Sequence, residues 1–312
     1  MSLIRARYRA VNTIMNLPRG GGFVGLLDLF HNATFAPSIR LLRKDYSGGL
    51  LRARAWDGLA NQGEADIMPY RVSANEYVLN LNSTLENLDA TAIGRGLTTS
   101  DTLADLVSTG VNDYDGLTSA WYDQSTNGNH ATQSTAANQP KIVSGGSLVT
   151  ENGKPAIDFD GVNDFFILDS KITISTTVLF VDVMSNIGVG FSAPYGSNNS
   201  SNGVYFPRSR SLFQGNGFSD NSSVVDLYGS QSVTSISSVS GIYNIYQNGV
   251  VRGSSGTYTG NTVSTMMVRR SSDLLGITSG KLQERIIYNN SDQSANRTGI
   301  ESNQATFYGI TL

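Results

Sequence analysis

The chain has 312 residues, of which 39% are hydrophobic and only 15% charged; it carries 33 Gly, no Cys and a formal net charge of -3. That is enough chain for one large sandwich or two modest domains. The lack of cysteine excludes disulfides, thiolate metal sites and a Cys nucleophile, and no apolar run approaches the roughly 20 residues that cross a bilayer, so no membrane partner is expected.

Charge is unevenly distributed. Residues 1–54 hold nine Lys or Arg against Asp28 and Asp45, a local balance of +7, which leaves -10 on the remainder. A basic segment on an acidic body predicts docking on an acidic surface, or pairing of some of these arginines with the chain's own carboxylates.

Residues 1–22 read as a basic arm: a short helix carrying Arg5, Arg7 and Arg9, ended by Pro18, then Arg19 and the Gly20-Gly21-Gly22 hinge. The arm lacks the apolar core and cleavage site of a secretory leader, so export by that route is not expected. The glycine run has no following Lys-Ser/Thr and is no phosphate loop. Tyr8 alone does not supply the interleaved aromatics of a nucleic-acid binder. Residues 23–312 read as one sandwich. Within it, 23–45 look partly helical up to the turn at His31-Asn32, and Leu50–Trp56 reads as a strand with Arg52 and Arg54 on one face. Asp101–Val107 reads as a short helix capped by Ser100 or Asp101.

After that the pattern is strand and turn almost to the end: Thr118–Tyr122, Ala156–Phe159, Phe165–Leu168, Thr177–Met184, Gly203–Phe206, Ser235–Val239, Tyr243–Gln247, Thr265–Arg269 and Lys281–Tyr288. Many short strands at this spacing predict an all-β jelly-roll sandwich with a few short helices. Trp56 and Trp121 are assigned to its core. The Ser/Asn/Gly-rich stretch 192–223 reads as loops, where a rigid scaffold carries its binding residues.

Asp123 ends a strand and its carboxylate can accept from the following backbone as an Asx turn. With Ser125 and Asn127 it also copies the opening of a calcium loop, although Ser134 stands where the closing Glu belongs. His31 and His130 sit in no metal or triad pattern.

Four segments carry a family resemblance. They are Tyr46–Arg54 with Glu64–Ile67; Trp121–Gln133 with Asn138–Val143; Asn152–Gly161; and Ile245–Gly249 with Gly280–Tyr288 and Ile300–Ile310. The last two resemble concanavalin A-like, laminin G-like domains, including phage virion proteins. The first two are more narrowly similar to the catalytic domain of the α-L-arabinofuranosidase B type, which has the same sandwich.

The virion likeness implies a capsid-decoration or tail-associated structural protein, released by lysis, oligomeric or bound in an assembly with other virion proteins. Arg5, Arg7, Arg9 and Arg19 would anchor it to the particle. Glycans would be bound through Tyr195, Tyr205, Phe206, Phe213 and Phe218, with no cofactor beyond the calcium candidates Asp123, Ser125 and Asn127. The arabinofuranosidase likeness implies an alternative. In that family the acid/base Asp stands eleven positions before the Glu of a late strand, and Asp273 stands eleven before Glu284. A retaining glycosidase pairs its acid with a carboxylate nucleophile about 5 to 5.5 Å away, but the corresponding window, Tyr205 to Phe213, holds none. Asp220 or Asp226 would serve only in another register, and the family's vicinal disulfide is impossible here. The expectation is therefore a non-enzymatic virion protein, with an arabinofuranosidase-like hydrolase as the alternative.

Overall fold

The computed structural model describes residues 22–185, 230–255, 261–270, 275–277 and 279–312, together with the strands Tyr195–Gly196, Ser211–Gln214 and Gly217–Asp220. Helix in the 23–45 stretch is confined to the single turn α1 (Leu26–Leu29), where the Asp28 carboxylate accepts from the Gly25 N–H at 2.8 Å. Past Asn32, whose φ of 67° turns the chain, the backbone extends. Its polar groups are then satisfied by a distant strand instead of by a helix: Thr34 N–H donates to the Ile287 carbonyl at 2.7 Å, and the Arg285 N–H to the Pro37 carbonyl at 3.0 Å.

The main sheet includes, in chain order, β1 (Leu51–Trp56), β2 (Asn61–Ile67), β3 (Leu85–Glu86), β4 (Asp115–Trp121), β5 (Ala131–Thr132), β6 (Lys141–Ser144), β7 (Ile157–Asp160), β8 (Phe166–Ile174), β9 (Val178–Ser185), β10 (Ser232–Val239), β11 (Ile242–Gln247), β12 (Val250–Ser255), β13 (Asn261–Met266) and β14 (Ser279–Asn289), with the two-residue strands Ser147–Leu148 on β6 and Tyr195–Gly196 on β13. All pair antiparallel, in the spatial order β13-β8-β5-β4-β6-β7-β14-β9-β10-β11-β12, with β1 on β4, β2 on β1 and β3 on β2. This is an all-β sandwich around one core that runs from Leu26 to Tyr308.

The turn chemistry follows the sequence. Asn248-Gly249, with φ of 48° and 77°, joins β11 to β12, and Asn152-Gly153, at 48° and 72°, closes a smaller hairpin. Both central residues of such two-residue turns need positive φ, which Asn and Gly accept at least cost.

Strand β9 is buried along its whole length, because one face meets the sandwich interior and the other meets the helix α4 (Arg297–Tyr308). The pattern of strand and turn "almost to the end" missed α4. Its inward residues are Ile300, Glu301, Gln304, Ala305 and Tyr308, and the polar ones hide the apolar stripe that marks a surface helix. After α2 (Ala90–Gly94), the Asp101–Val107 expectation resolves to α3 (Leu103–Leu106), capped by Thr102 and not by Ser100 or Asp101; the Thr102 hydroxyl accepts from the Asp105 N–H while Asp105 accepts in return. Trp121 is fully buried as expected. Trp56 is only partly buried, because β1 ends there at the rim of the sheet. No described helix is long and apolar enough to cross a membrane.

Candidate functional site

Glu284, on β14, is fully buried and held by four side chains. Arg40 donates from Nε at 2.6 Å and from Nη2 at 2.9 Å, Ser38 Oγ at 2.8 Å, Gln304 Nε2 at 3.1 Å and Tyr308 Oη at 3.1 Å. Burial works against the Arg40 charge, yet the facing Glu284 carboxylate outweighs it and raises the guanidinium pKa. Burial, followed by Glu284, pushes the Tyr308 phenol well above its usual range. This cluster clasps the extended 34–40 segment and α4 onto the central strand, and its carboxylate has no lone pair left for chemistry. One strand away, Asp182 and Arg285 form a second fully buried pair at 2.9 Å.

The narrow resemblance segments meet elsewhere. Arg52 and Arg54 on β1 stand directly opposite Asp66 and Glu64 on β2. Arg52 bridges both acids, at 3.0 Å to Glu64 and 2.8 Å to Asp66, and Arg54 pairs with Glu64. Arg40 and Arg43 are likewise paired, with Glu284 and Asp45. Four of the nine basic residues of the first 54 therefore pair with the chain's own carboxylates. Asp66 also accepts from Tyr122 Oη at 2.5 Å and Asn87 Nδ2 at 2.7 Å. Burial and then the bond to Asp66 raise the Tyr122 phenol pKa.

Beside this ladder opens a cleft of about 390 Å³ whose walls include Gly48, Asp66, Glu86, Tyr122 and His130. A Cβ on Gly49 would stand 3.3 Å from the Ile67 carbonyl and 3.4 Å from the Tyr122 ring, so glycine lets the loop lie close against this wall. Gly48, Asp66, Tyr122 and His130 were legible as motif members but not as a site, and Glu86 stood in no motif. The signal was present in Arg-Ala-Arg and Glu-Ala-Asp flanking the Asp57-Gly58 turn, which puts four charges on one face of a hairpin.

The Trp121–Ser125 motif is a joint. Asp123 Oδ1 accepts from Ala36 and Ser125 N–H at 2.8 and 2.9 Å, and Oδ2 from Ser125 Oγ and Asn129 N–H at 2.7 and 3.0 Å. Gln124 accepts from Leu42 N–H and donates to the Arg40 carbonyl, both at 2.8 Å. Asn127 Nδ2 donates to the Thr34 carbonyl at 2.8 Å. The Asp123 carboxylate, the Ser125 hydroxyl and the Asn127 amide nitrogen are thus engaged by the chain itself. Among the described residues no group of three or more His, Asp or Glu is placed to hold a metal ion.

Asp164 is a buried carboxyl whose hydrogen-bond partner is a backbone N–H and not a cation. Burial dominates, the N–H of Asp160 at 3.0 Å opposes it, and the charges of Asp160 and Asp158 add to it, so its pKa is pushed up to about 7.

Of the glycan candidates, Tyr195 lies in a short strand against Met266, and Phe213 is paired with Phe218 across a hairpin. Tyr205 and Phe206, the anchoring residues Arg5, Arg7, Arg9 and Arg19, and the acid candidate Asp273 lie outside the described residues.

No family model and no curated protein matches the chain. Solved structures do. A GH54 α-L-arabinofuranosidase soaked with a cyclic sulfate inhibitor superposes with a TM-score of 0.57 at 14% identity, covering 87% of this chain and 62% of that one. The fold is that of the GH54 arabinofuranosidase. An arabinofuranosidase complexed with arabinofuranosyl-α-1,2-xylobiose gives 0.54 at 13% identity over the same shares. The chain thus spans 62% of the length of the solved structures it resembles. The expectation of a chain outside the enzymes is contradicted by this likeness, since the solved structures that share its fold are arabinofuranosidases.

Proposed function

We propose that the chain is a glycoside hydrolase of the arabinofuranosidase type, acting on terminal α-L-arabinofuranosyl groups, with Asp273 as its general acid. What carries the reading is the shared architecture over 87% of the chain. It is supported by the spacing that sets Asp273 eleven residues before Glu284, together with the burial of Glu284 in the clasp, which holds β14 at a fixed depth. An acid in that role would protonate the leaving-group oxygen while a second carboxylate attacks the anomeric carbon. Asp220, at the end of the Gly217–Asp220 strand and opposite Ser211, is the carboxylate proposed for that second role.

The test is the release of 4-nitrophenol from 4-nitrophenyl α-L-arabinofuranoside by the full chain, with Asp273→Asn and Asp220→Asn beside it. Loss of at least about a hundredfold in kcat for Asp273→Asn is expected, the lower range for a general acid. Release that is unaffected by Asp273→Asn, or no release at all, overturns the reading. The virion placement rests on composition and the basic arm, and the named solved structures are carbohydrate-active enzymes, so the hydrolase reading takes its place.

A further inference from the structure

The cleft beside the charged ladder has features that the hydrolase reading does not use. Its charges are nearly all spent. Asp66 is taken by Arg52, Tyr122 and Asn87, and Glu64 by Arg52 and Arg54. Glu86, directly opposite Asp66 across β2 and β3, is different. It lines the cleft, is partly exposed, and among the described residues makes no hydrogen bond or ion pair. His130 lines the same cleft. Its Nδ1 accepts the Asp123 N–H at 3.1 Å, and its ring packs edge-on against Tyr122 with centroids 5.0 Å apart. A ring whose Nδ1 accepts is the Nε2–H tautomer, so the other nitrogen is a donor, and it has no partner among the described residues.

We propose that this cleft is a saccharide subsite that takes a vicinal diol, with Glu86 accepting from the two hydroxyls and His130 Nε2–H donating to a third oxygen. The chemistry selects the ligand. A metal ion or ammonium group would meet only one free carboxylate, and the His130 N–H would be turned toward it with the wrong sign. A neutral polyol both donates to Glu86 and accepts from His130. The Tyr122 ring and Met68 supply apolar surface for the sugar's C–H face, and about 390 Å³ is at the lower end of ligand-sized pockets, suited to one or two sugar units. The proposal is independent of cleavage at Asp273.

The chain has only two histidines, so the subsite carries its own reporter. Methyl α-L-arabinofuranoside is titrated into the full chain while the two histidine ring Hε1 resonances are followed by NMR. A saturable shift at His130 with His31 unmoved is expected. In Glu86→Gln the dissociation constant should rise by at least about tenfold, the size of one lost charge-assisted hydrogen bond, and in Asp273→Asn the His130 shift should persist. No saturable shift at His130 in the wild type, or an unchanged affinity in Glu86→Gln, overturns the subsite; so does a His130 shift lost in Asp273→Asn, or one produced by arginine amide in place of the glycoside. Should Glu86→Gln fail to fold, the wild-type titration decides by itself.

Discussion

Two of the carboxylate and arginine clusters in this molecule differ in what lies beside them. At Glu284, Arg40, Ser38, Gln304 and Tyr308 close around the carboxylate with no solvent in contact. At Glu64 and Asp66, the same kinds of groups line a sheet edge that opens onto a cleft. Burial of paired charge in the first place fixes how segments far apart in sequence meet. Partial exposure in the second leaves a pre-arranged polar wall that a ligand can reach. Location, more than residue type, separates the structural cluster from the candidate site.

The comparison is broken most severely at Arg40. Arg40→Met removes the cation and leaves Glu284 charged in the core, for which a loss of about 3–5 kcal/mol is expected in urea unfolding; a loss under about 1 kcal/mol would show that the clasp is not what holds the 34–40 segment.

Asp164 sharpens the contrast, since it is what Glu284 would be without Arg40. Its folded pKa of about 7 lies above the ordinary carboxyl value of roughly 4. The protonated form therefore stabilises the fold fully below pH 4, and that contribution fades as the pH rises toward 7. Asp164→Asn cannot ionise, so it should be more stable than the wild type by at least about 1 kcal/mol at pH 8. The difference should vanish near pH 4. An equal gain at both pH values would place its cause outside ionisation.

The smallest effect is expected in the ladder. Arg54→Gln, at a partly exposed pair, should cost about 1 kcal/mol or less and less still in high salt, which parallel denaturation curves at low and high ionic strength would check.

Much of the sandwich could be read from alternation and turn residues. The candidate strands Thr177–Met184 and Lys281–Tyr288 fall within β9 and β14. Helix α4 could not be read so, because Glu301 and Gln304 face inward, where they meet Ser235, Arg297 and Glu284; a polar residue on a buried face defeats any reading by period. The stretch 34–42 misled for the opposite reason. Its apolar residues are buried, but β14 and the Gln124 side chain take up its backbone groups. The cleft was half legible. Gly48, Asp66, Tyr122 and His130 stood out as motif members, whereas Glu86 belonged to no motif and reaches the same cleft only through the pairing of β3 with β2.

The most direct test of the arabinofuranosidase reading is a crystal structure of the Asp273→Asn variant soaked with 4-nitrophenyl α-L-arabinofuranoside. The account expects the intact glycoside bound with its glycosidic oxygen within about 2.6 to 3.2 Å of the residue 273 side chain. A glycoside bound away from residue 273, or none bound at saturating concentration, would contradict it.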